Sequence, residues 1–401
     1  MVAATLRPRV GRWVLVALGF VGFVTSFGAH IVAVNLPVYA KQVGVGLAMI
    51  GVLIAIYDFA EIIAKPLFGY IADRGGLKRT VLVGLGIFTI ASLGFFAVDP
   101  RLLLLIRLLQ GVGAAALSIA SAALVAVYFP DSRGQAFGVY NAIKGAGYVI
   151  SPVVGGAIVW ASNFGMIFVA CFAAGLVGFL LSLTLPKPPD AAVRDLDDDD
   201  FSLAKFAAAF RNRLLLPWYL IIVANMFLVG ILFGFLPVYV YWLGYDQLQS
   251  GLIVGACTLA YLLIQPVAGR MLDRLDARSV MLVGLLFSAA GVFAVPFTTG
   301  PMLVVAAICG GLGVGAVWTN SDAMVSRLAS EGRMAATLGI AGSFKELGDM
   351  LGPLLIGVLA QALGIRASFM ICGALGVLSI GLLRFARTAV PGTLPQHSAS
   401  A

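Results

Sequence analysis

Charge is what this chain has least of. Aspartate, glutamate, lysine and arginine together make up 11% of its 401 residues, where a water-soluble globular chain carries about 25%. With 61% hydrophobic residues and a mean hydropathy of +1.03, it cannot clothe its surface in polar groups, and an ordinary soluble protein is excluded. Cysteine is scarce as well. Cys171, Cys257, Cys309 and Cys372 each lie inside an apolar run without metal-ligand spacing, so they read as packing groups rather than a disulfide or metal site. There is no Walker-type phosphate loop, nucleophile elbow or dinucleotide fingerprint. No enzyme, cofactor or metal is expected, and nothing points to nucleotide-driven pumping.

What the chain does have is long apolar runs. Barrel strands would alternate polar and apolar over about ten residues; here the runs reach about twenty or more, which predicts helices. Twelve are legible, at 13–40, 46–70, 80–98, 101–128, 135–160, 165–185, 216–243, 248–271, 279–298, 302–328, 334–361 and 366–388. The first follows Arg7, Arg9 and Arg12 but is too long for a signal core, and reads as a retained span. Lysine and arginine placement sets the orientation. With the N-terminus inside, nineteen of these cations fall on cytoplasmic segments, and only Lys41, Arg101 and Arg366 fall on outer loops. Both termini are therefore expected in the cytoplasm, in a multi-pass protein of the cell membrane. The net charge of +8 is then a topology signal. Its cations form no single stripe, which argues against nucleic acid as a partner.

The chain also repeats itself. "LPVYA" at Leu36 returns as "LPVYV" at Leu236. Pro66, Gly69, Asp73 and Arg74 return as Pro266, Gly269, Asp273 and Arg274. "KGAGYVISPVVGG" from Lys144 answers "KELGDMLGPLLIG" from Lys345. A nearly constant offset across six spans implies two homologous six-helix bundles, 1–186 and 216–389. They are joined by a cytoplasmic linker, 187–215, whose aspartate run reads as a solvated segment, and are followed by a tail, 390–401. The expected fold is an all-α membrane protein of two pseudo-symmetric six-helix bundles, with substrate near the midplane between them.

"GYIADRGGLKR" (Gly69–Arg79), "RLLQGVGAA" (Arg107–Ala115) and "GVYNAIKGAGYVISPVVGG" (Gly138–Gly156) resemble the signatures of the major facilitator superfamily. The last is similar to the fifth-span signature of its twelve-span drug:proton antiporters, with Ser151 standing where glycine usually precedes the proline. The resemblance implies a cytoplasmic gate at Gly69, Asp73, Arg74, Gly76 and Arg79. It implies hinge and close-packing positions at Gly147, Pro152, Gly155 and Gly156, answered in span eleven by Gly348, Gly352 and Pro353. It also gives Arg107 an organising role within the first bundle.

Ionisable groups inside spans are expensive and mark function by default. Asp58, Glu61 and Lys65 share a helical face, as do Lys345, Glu346 and Asp349. The resemblance implies that span two faces span eleven across the bundle interface, so together they predict a proton-coupling or interface charge network between these spans, with Asp58 or Glu61 opposite Lys345. Arg107, Lys144, Tyr57, Tyr148 and Tyr261 are candidates for the substrate cavity, and Phe59, Trp318 and Asn320 could line it too. Lys144 has no acid in its own span and is free to pair across the bundle or to bind an anionic substrate group. His30 reads as a packed histidine, and Asp322 as an interfacial residue near the cytoplasmic mouth.

The expected function is proton-coupled export of a small organic or drug-like compound by a monomer in the lipid bilayer. Import or exchange of an organic anion is the alternative. A membrane sensor that binds without transporting is a third, of another class.

Overall fold

The computed structural model describes residues 11–96, 102–188, 214–328 and 334–386. Among them there is no strand, and twelve helices are long and apolar enough to cross a membrane. Helices are the natural outcome, because lipid offers no partner for a free backbone N–H or C=O. The first bundle comprises α1 (Arg12–Val43), α2 (Leu47–Gly75), α3 (Leu77–Gly94), α4 (Leu103–Tyr128), α5 (Arg133–Ala161) and α6 (Met166–Leu183). The second comprises α7 (Leu216–Trp242), α8 (Gln247–Arg274), α9 (Ala277–Ala294), α10 (Pro301–Leu328), α11 (Met334–Leu363) and α12 (Ile365–Ser379). The last span runs on as a 3₁₀ turn to Arg384, so the apolar run expected at 366–388 is α-helical only in its first part.

The helices pair alike in the two bundles. In the first, α1 lies on α5, α2 on α4, and α3 on both α4 and α6. In the second, α7 lies on α11, α8 on α10, and α9 on both α10 and α12. Two long seams join the bundles, α2 against α11 and α5 against α8, with α1 and α7 meeting between them. The bundles meet along helix flanks whose residues recur at the repeat offset, so the duplication seen in the sequence becomes a two-fold relation in space.

The proline positions repeat too: Pro37 with Pro237, Pro66 with Pro266, and Pro152 with Pro353. A proline frees the carbonyl four residues earlier. In α7 the turn before Pro237, Ile231–Phe235, widens into a π turn, a form that recurs at functional sites. At the α2–α3 connection, Gly76 takes φ +93°, a conformation that a side chain strongly disfavours.

Each bundle also clamps its last helix. Lys78 Nζ donates to the Leu183 carbonyl at 2.8 Å and to that of Leu185. Two hundred residues on, Arg278 Nε and Nη2 donate to the Ala386 carbonyl at 2.9 and 2.7 Å. A cation at a helix C-terminus satisfies orphan carbonyls and opposes the negative end of the dipole.

Candidate functional site

The two seams differ in chemistry, although the sequence copies one from the other. The α2–α11 seam carries the charges. Lys65, on α2, places its ammonium 3.3 Å from Glu61 Oε2 on its own helix and 2.6 Å from Glu346 Oε1 on α11. The cross-bundle ion pair thus runs through Lys65 and Glu346. Lys345, expected to meet Asp58 or Glu61, turns away: its ammonium lies 2.6 Å from Asp322 Oδ2 and 4.6 Å from the centre of the Trp318 ring. The reason is helical phase. Glu346 is about 100° around the helix from Lys345, so when Glu346 faces α2, Lys345 faces α10. Asp322 consequently has a partner inside the protein and is not simply an interfacial residue.

Asp58, Glu346 and Asp349 bring one carboxylate oxygen each within 4.8 Å of one another. Asp58 and Asp349 face a narrow cavity lined also by His30, Arg107 and Phe233, and by small residues of α1 and α7. Asp58, Glu61 and Arg107 are buried. Arg107 makes no carboxylate pair among the described residues. Its guanidinium reaches the carbonyls of Gly28, Ala29 and Leu53 at 3.4 Å and Gln110 Oε1 at 3.3 Å, and stacks 4.5 Å over the Tyr57 ring. It thereby ties α1, α2 and α4 together.

Tyr57 does not line this cavity. It is buried beneath Arg107 with its hydroxyl donating to the Thr25 carbonyl at 3.1 Å, because an aromatic face under a guanidinium is itself a favourable contact. Phe59 points outward and is 43% exposed. Asn320 is fully buried, with neither amide atom partnered.

The α5–α8 seam carries rings. Tyr148 on α5, Phe233 on α7 and Tyr261 on α8 touch one another, with centroids 6.2, 6.0 and 5.5 Å apart. His30 packs edge-on against Tyr148 at 4.5 Å and Phe233 at 5.8 Å. Its Nδ1 donates to the Ser26 carbonyl at 2.9 Å, so His30 is packed as expected but also lines the cavity. The repeat offset pairs Glu61 with Tyr261, Lys65 with Gln265 and Asp349 with Tyr148. Charges on one seam have become rings and an amide on the other. Phe233 escaped sequence reasoning, since one phenylalanine in an apolar run carries no signal; the π turn that aims it exists only in the folded helix.

The glycine–proline motif divides its work by face. Gly147 and Gly155 abut Ser26, Ile31 and Asn35 of α1, and Gly348 and Gly352 abut Val223 and Phe227 of α7. Pro152 and Gly156 face the other bundle. A methyl group at Gly251 of α8 would collide with the Pro152 carbonyl and lie 3.3 Å from Gly156 Cα. At the related place, a methyl on Gly51 of α2 would collide with the Pro353 carbonyl and lie 3.3 Å from Gly357 Cα. Both seams are thus pressed backbone to backbone near the α1–α2 end, where Leu47 N also donates to Gln361 Oε1 at 3.0 Å. Toward the α2–α3 end, Gly69, Gly138, Gly339 and Gly342 have nothing within 4 Å of a would-be side chain. Gly51 and Gly251 were missed in the sequence, though their spacing of 200 was a usable clue. Of the expected gate, Gly76 forms the turn and Arg79 is exposed. The side chains of Asp73 and Arg74 lie outside the described residues.

Two six-helix bundles with a charged seam, a ring-lined seam and one pinched end define a helical membrane protein built to bind between its halves. The chain belongs to the Major Facilitator Superfamily, whose family model matches residues 18–260 and 242–400. It is 21% identical over 375 residues to the uncharacterized MFS-type transporter MJ1560 of Methanocaldococcus jannaschii, covering 91% of this chain and 95% of that one. It is 29% identical over 181 residues to the uncharacterized MFS-type transporter Rv1250 of Mycobacterium tuberculosis, a match spanning 45% of this chain and 31% of the relative. It is also 29% identical over 170 residues to the quinolone resistance protein NorA of Staphylococcus aureus, spanning 42% of this chain and 43% of NorA. Among solved structures, a D-xylose-proton symporter superposes with TM-score 0.78 at 16% identity, covering 96% of this chain and 99% of that one. The nucleoside transporter NupG does so with TM-score 0.75 at 15% identity, covering 92% and 98%. These likenesses show the fold. Family and fold are those of membrane transporters of small molecules, not of enzymes.

Proposed function

We propose that this transporter exports a small organic, drug-like compound in exchange for protons, by alternating access between its two bundles. The observation that carries the reading is the position of Lys65, held between Glu61 of its own bundle and Glu346 of the other. Side chains in this pair are about a fifth exposed, 18% and 22%, so the contact is partly screened. A charge-assisted bond of that kind contributes about 1.5–3 kcal/mol. A proton on Glu346 removes the negative charge that holds Lys65 across the seam, and the bias between the two closed states shifts by about tenfold or more. Asp58 and Asp349 stand beside this pair on opposite bundles and offer further places for the proton. The partial likeness to a quinolone resistance protein supports export. The arginine-rich loops favour the α2–α3 end as cytoplasmic, so the described state is pinched shut toward the outside.

The test is proton movement in everted vesicles holding a pH-sensitive dye, with a panel of amphiphilic compounds added in turn. A compound that drives proton release in wild type, and fails to in Glu346→Gln, is the expected result. Flux that continues after the proton gradient is collapsed refutes the coupling. Binding without any counterflow in proteoliposomes indicates the sensor instead.

The second reading, exchange of an organic anion, is favoured by Lys144. Among the described residues its ammonium makes no ion pair. Glu61 and Glu346, which act on it electrostatically, are both held by Lys65.

A further inference from the structure

We infer that the α5–α8 seam is the seat of an aromatic anion, an aromatic carboxylate in the simplest case, whereas the α2–α11 seam is the proton path. The inference rests on the transport reading above and names the substrate class of that site.

The ring side of the seat is built from both bundles. His30 and Tyr148 come from the first, Phe233 and Tyr261 from the second, and each ring touches at least one across the divide. When the bundles part at this level, these contacts are lost and flat apolar faces are left without partners. A planar aromatic solute slipped between them restores edge-to-face and offset stacking, worth about 0.5–1.5 kcal/mol per ring pair beyond area burial. Phe233 sits at the middle of the cluster because the π turn aims it there. Its two-fold counterpart on α1 is Ala33, and that of His30 is Gly230. Each bundle therefore sets one bulky group against a small one, and all four line the same cavity.

The anion side rests on two separate observations. Lys144 is one helical turn from Tyr148 on the same face of α5, and among the described residues its ammonium makes no ion pair. Its repeat partner Lys345 is neutralised by Asp322 at 2.6 Å, so the difference between the two lysines is tertiary, not local. On α8, Gln265 lies one turn beyond Tyr261; its Nε2 is buried beside the Tyr261 hydroxyl and, among the described residues, makes no hydrogen bond of good geometry. An unpaired buried donor is costly, and a ligand acceptor is one way to satisfy it. The helix register sets the two at a similar level of the seam. Gly145 packs on Leu262, and Gln265 is three residues further, about 4.5 Å along the axis. An ammonium and an amide N–H, one from each bundle, suit a carboxylate held at the edge of the ring cluster.

The experiment is equilibrium binding of radiolabelled 1-naphthoate to the full-length protein in nanodiscs, competed by 1-naphthylmethylammonium and by cyclohexanecarboxylate. Saturable naphthoate binding is expected, with cyclohexanecarboxylate at least tenfold weaker and the aromatic cation failing to compete. Lys144→Gln and Tyr261→Leu should each weaken binding about tenfold or more, and Lys144→Arg should restore most of it. No saturable binding, better competition by the cation, or full affinity in a monodisperse Lys144→Gln protein would each overturn the seat. Proton-driven flux of an aromatic cation that naphthoate does not inhibit refutes the seat and leaves the coupling standing. Naphthoate binding without proton-driven flux refutes the coupling and leaves the seat standing.

Discussion

A methyl group added at Gly51 has nowhere to go while the α1–α2 end is shut. It would collide with the Pro353 carbonyl and crowd Gly357, and both obstacles are backbone, which cannot rotate aside. Either α2 and α11 separate locally or the bundles rock toward the state in which this end is open. Overpacking of this sort costs about 1–3 kcal/mol, which converts to a shift of about 5–150-fold in the ratio of the two states. Ile50, beside Gly51, is 2% exposed, so a cysteine there reports opening. In an Ile50→Cys protein with the four native cysteines replaced, the rate of labelling by a membrane-impermeant maleimide should rise about tenfold when Gly51→Ala is added. Gly251→Ala should do the same through Pro152 and Gly156 on the other seam. Because the two crossings are separate, the double variant should open further still. Gly69→Ala is the control, since nothing lies within 4 Å of its added carbon, and its labelling rate should match the parent's. Equal rates in Gly51→Ala and parent would refute the idea that backbone contact at these glycines holds the end shut.

Other outcomes follow from the same geometry. Arg107→Lys keeps the charge but cannot span the carbonyls of α1 and α2 and the Gln110 amide at once; transport in proteoliposomes should fall at least tenfold. Lys65→Met leaves Glu61 and Glu346 facing each other without their shared cation, so proton-driven flux should be lost while Lys65→Arg retains part of it. Arg278→Ala removes both bonds to the Ala386 carbonyl and should lower stability by about 1.5–3 kcal/mol, read as a drop in the thermal midpoint. Gly76→Ala forces a side chain into φ +93°, ψ 132° at a cost of about 1–3 kcal/mol, visible in the same unfolding assay.

Much of this protein is written along one dimension. Hydropathy alone marks twelve spans, because every apolar run long enough to cross lipid must close its hydrogen bonds as a helix. The constant offset between Pro152 and Pro353, or Lys144 and Lys345, reveals the two bundles, since duplication copies positions in the chain. The rarity of charge singled out Asp58, Glu61, Lys65, Glu346 and Asp349, because burying an ion without purpose is costly. What the sequence could not state is who meets whom. Lys65 and Glu346 are 281 residues apart, and a phase difference of one residue decides that Glu346, not Lys345, crosses the seam. Two lysines in matching motifs ended differently, Lys345 on Asp322 and Lys144 without an ion pair among the described residues. Two copies of one helix pair became a charged seam and a ring-lined one. Those choices depend on helix phase, on the π turn in α7 and on backbone contact between distant glycines, all of which exist only once the bundles pack against each other.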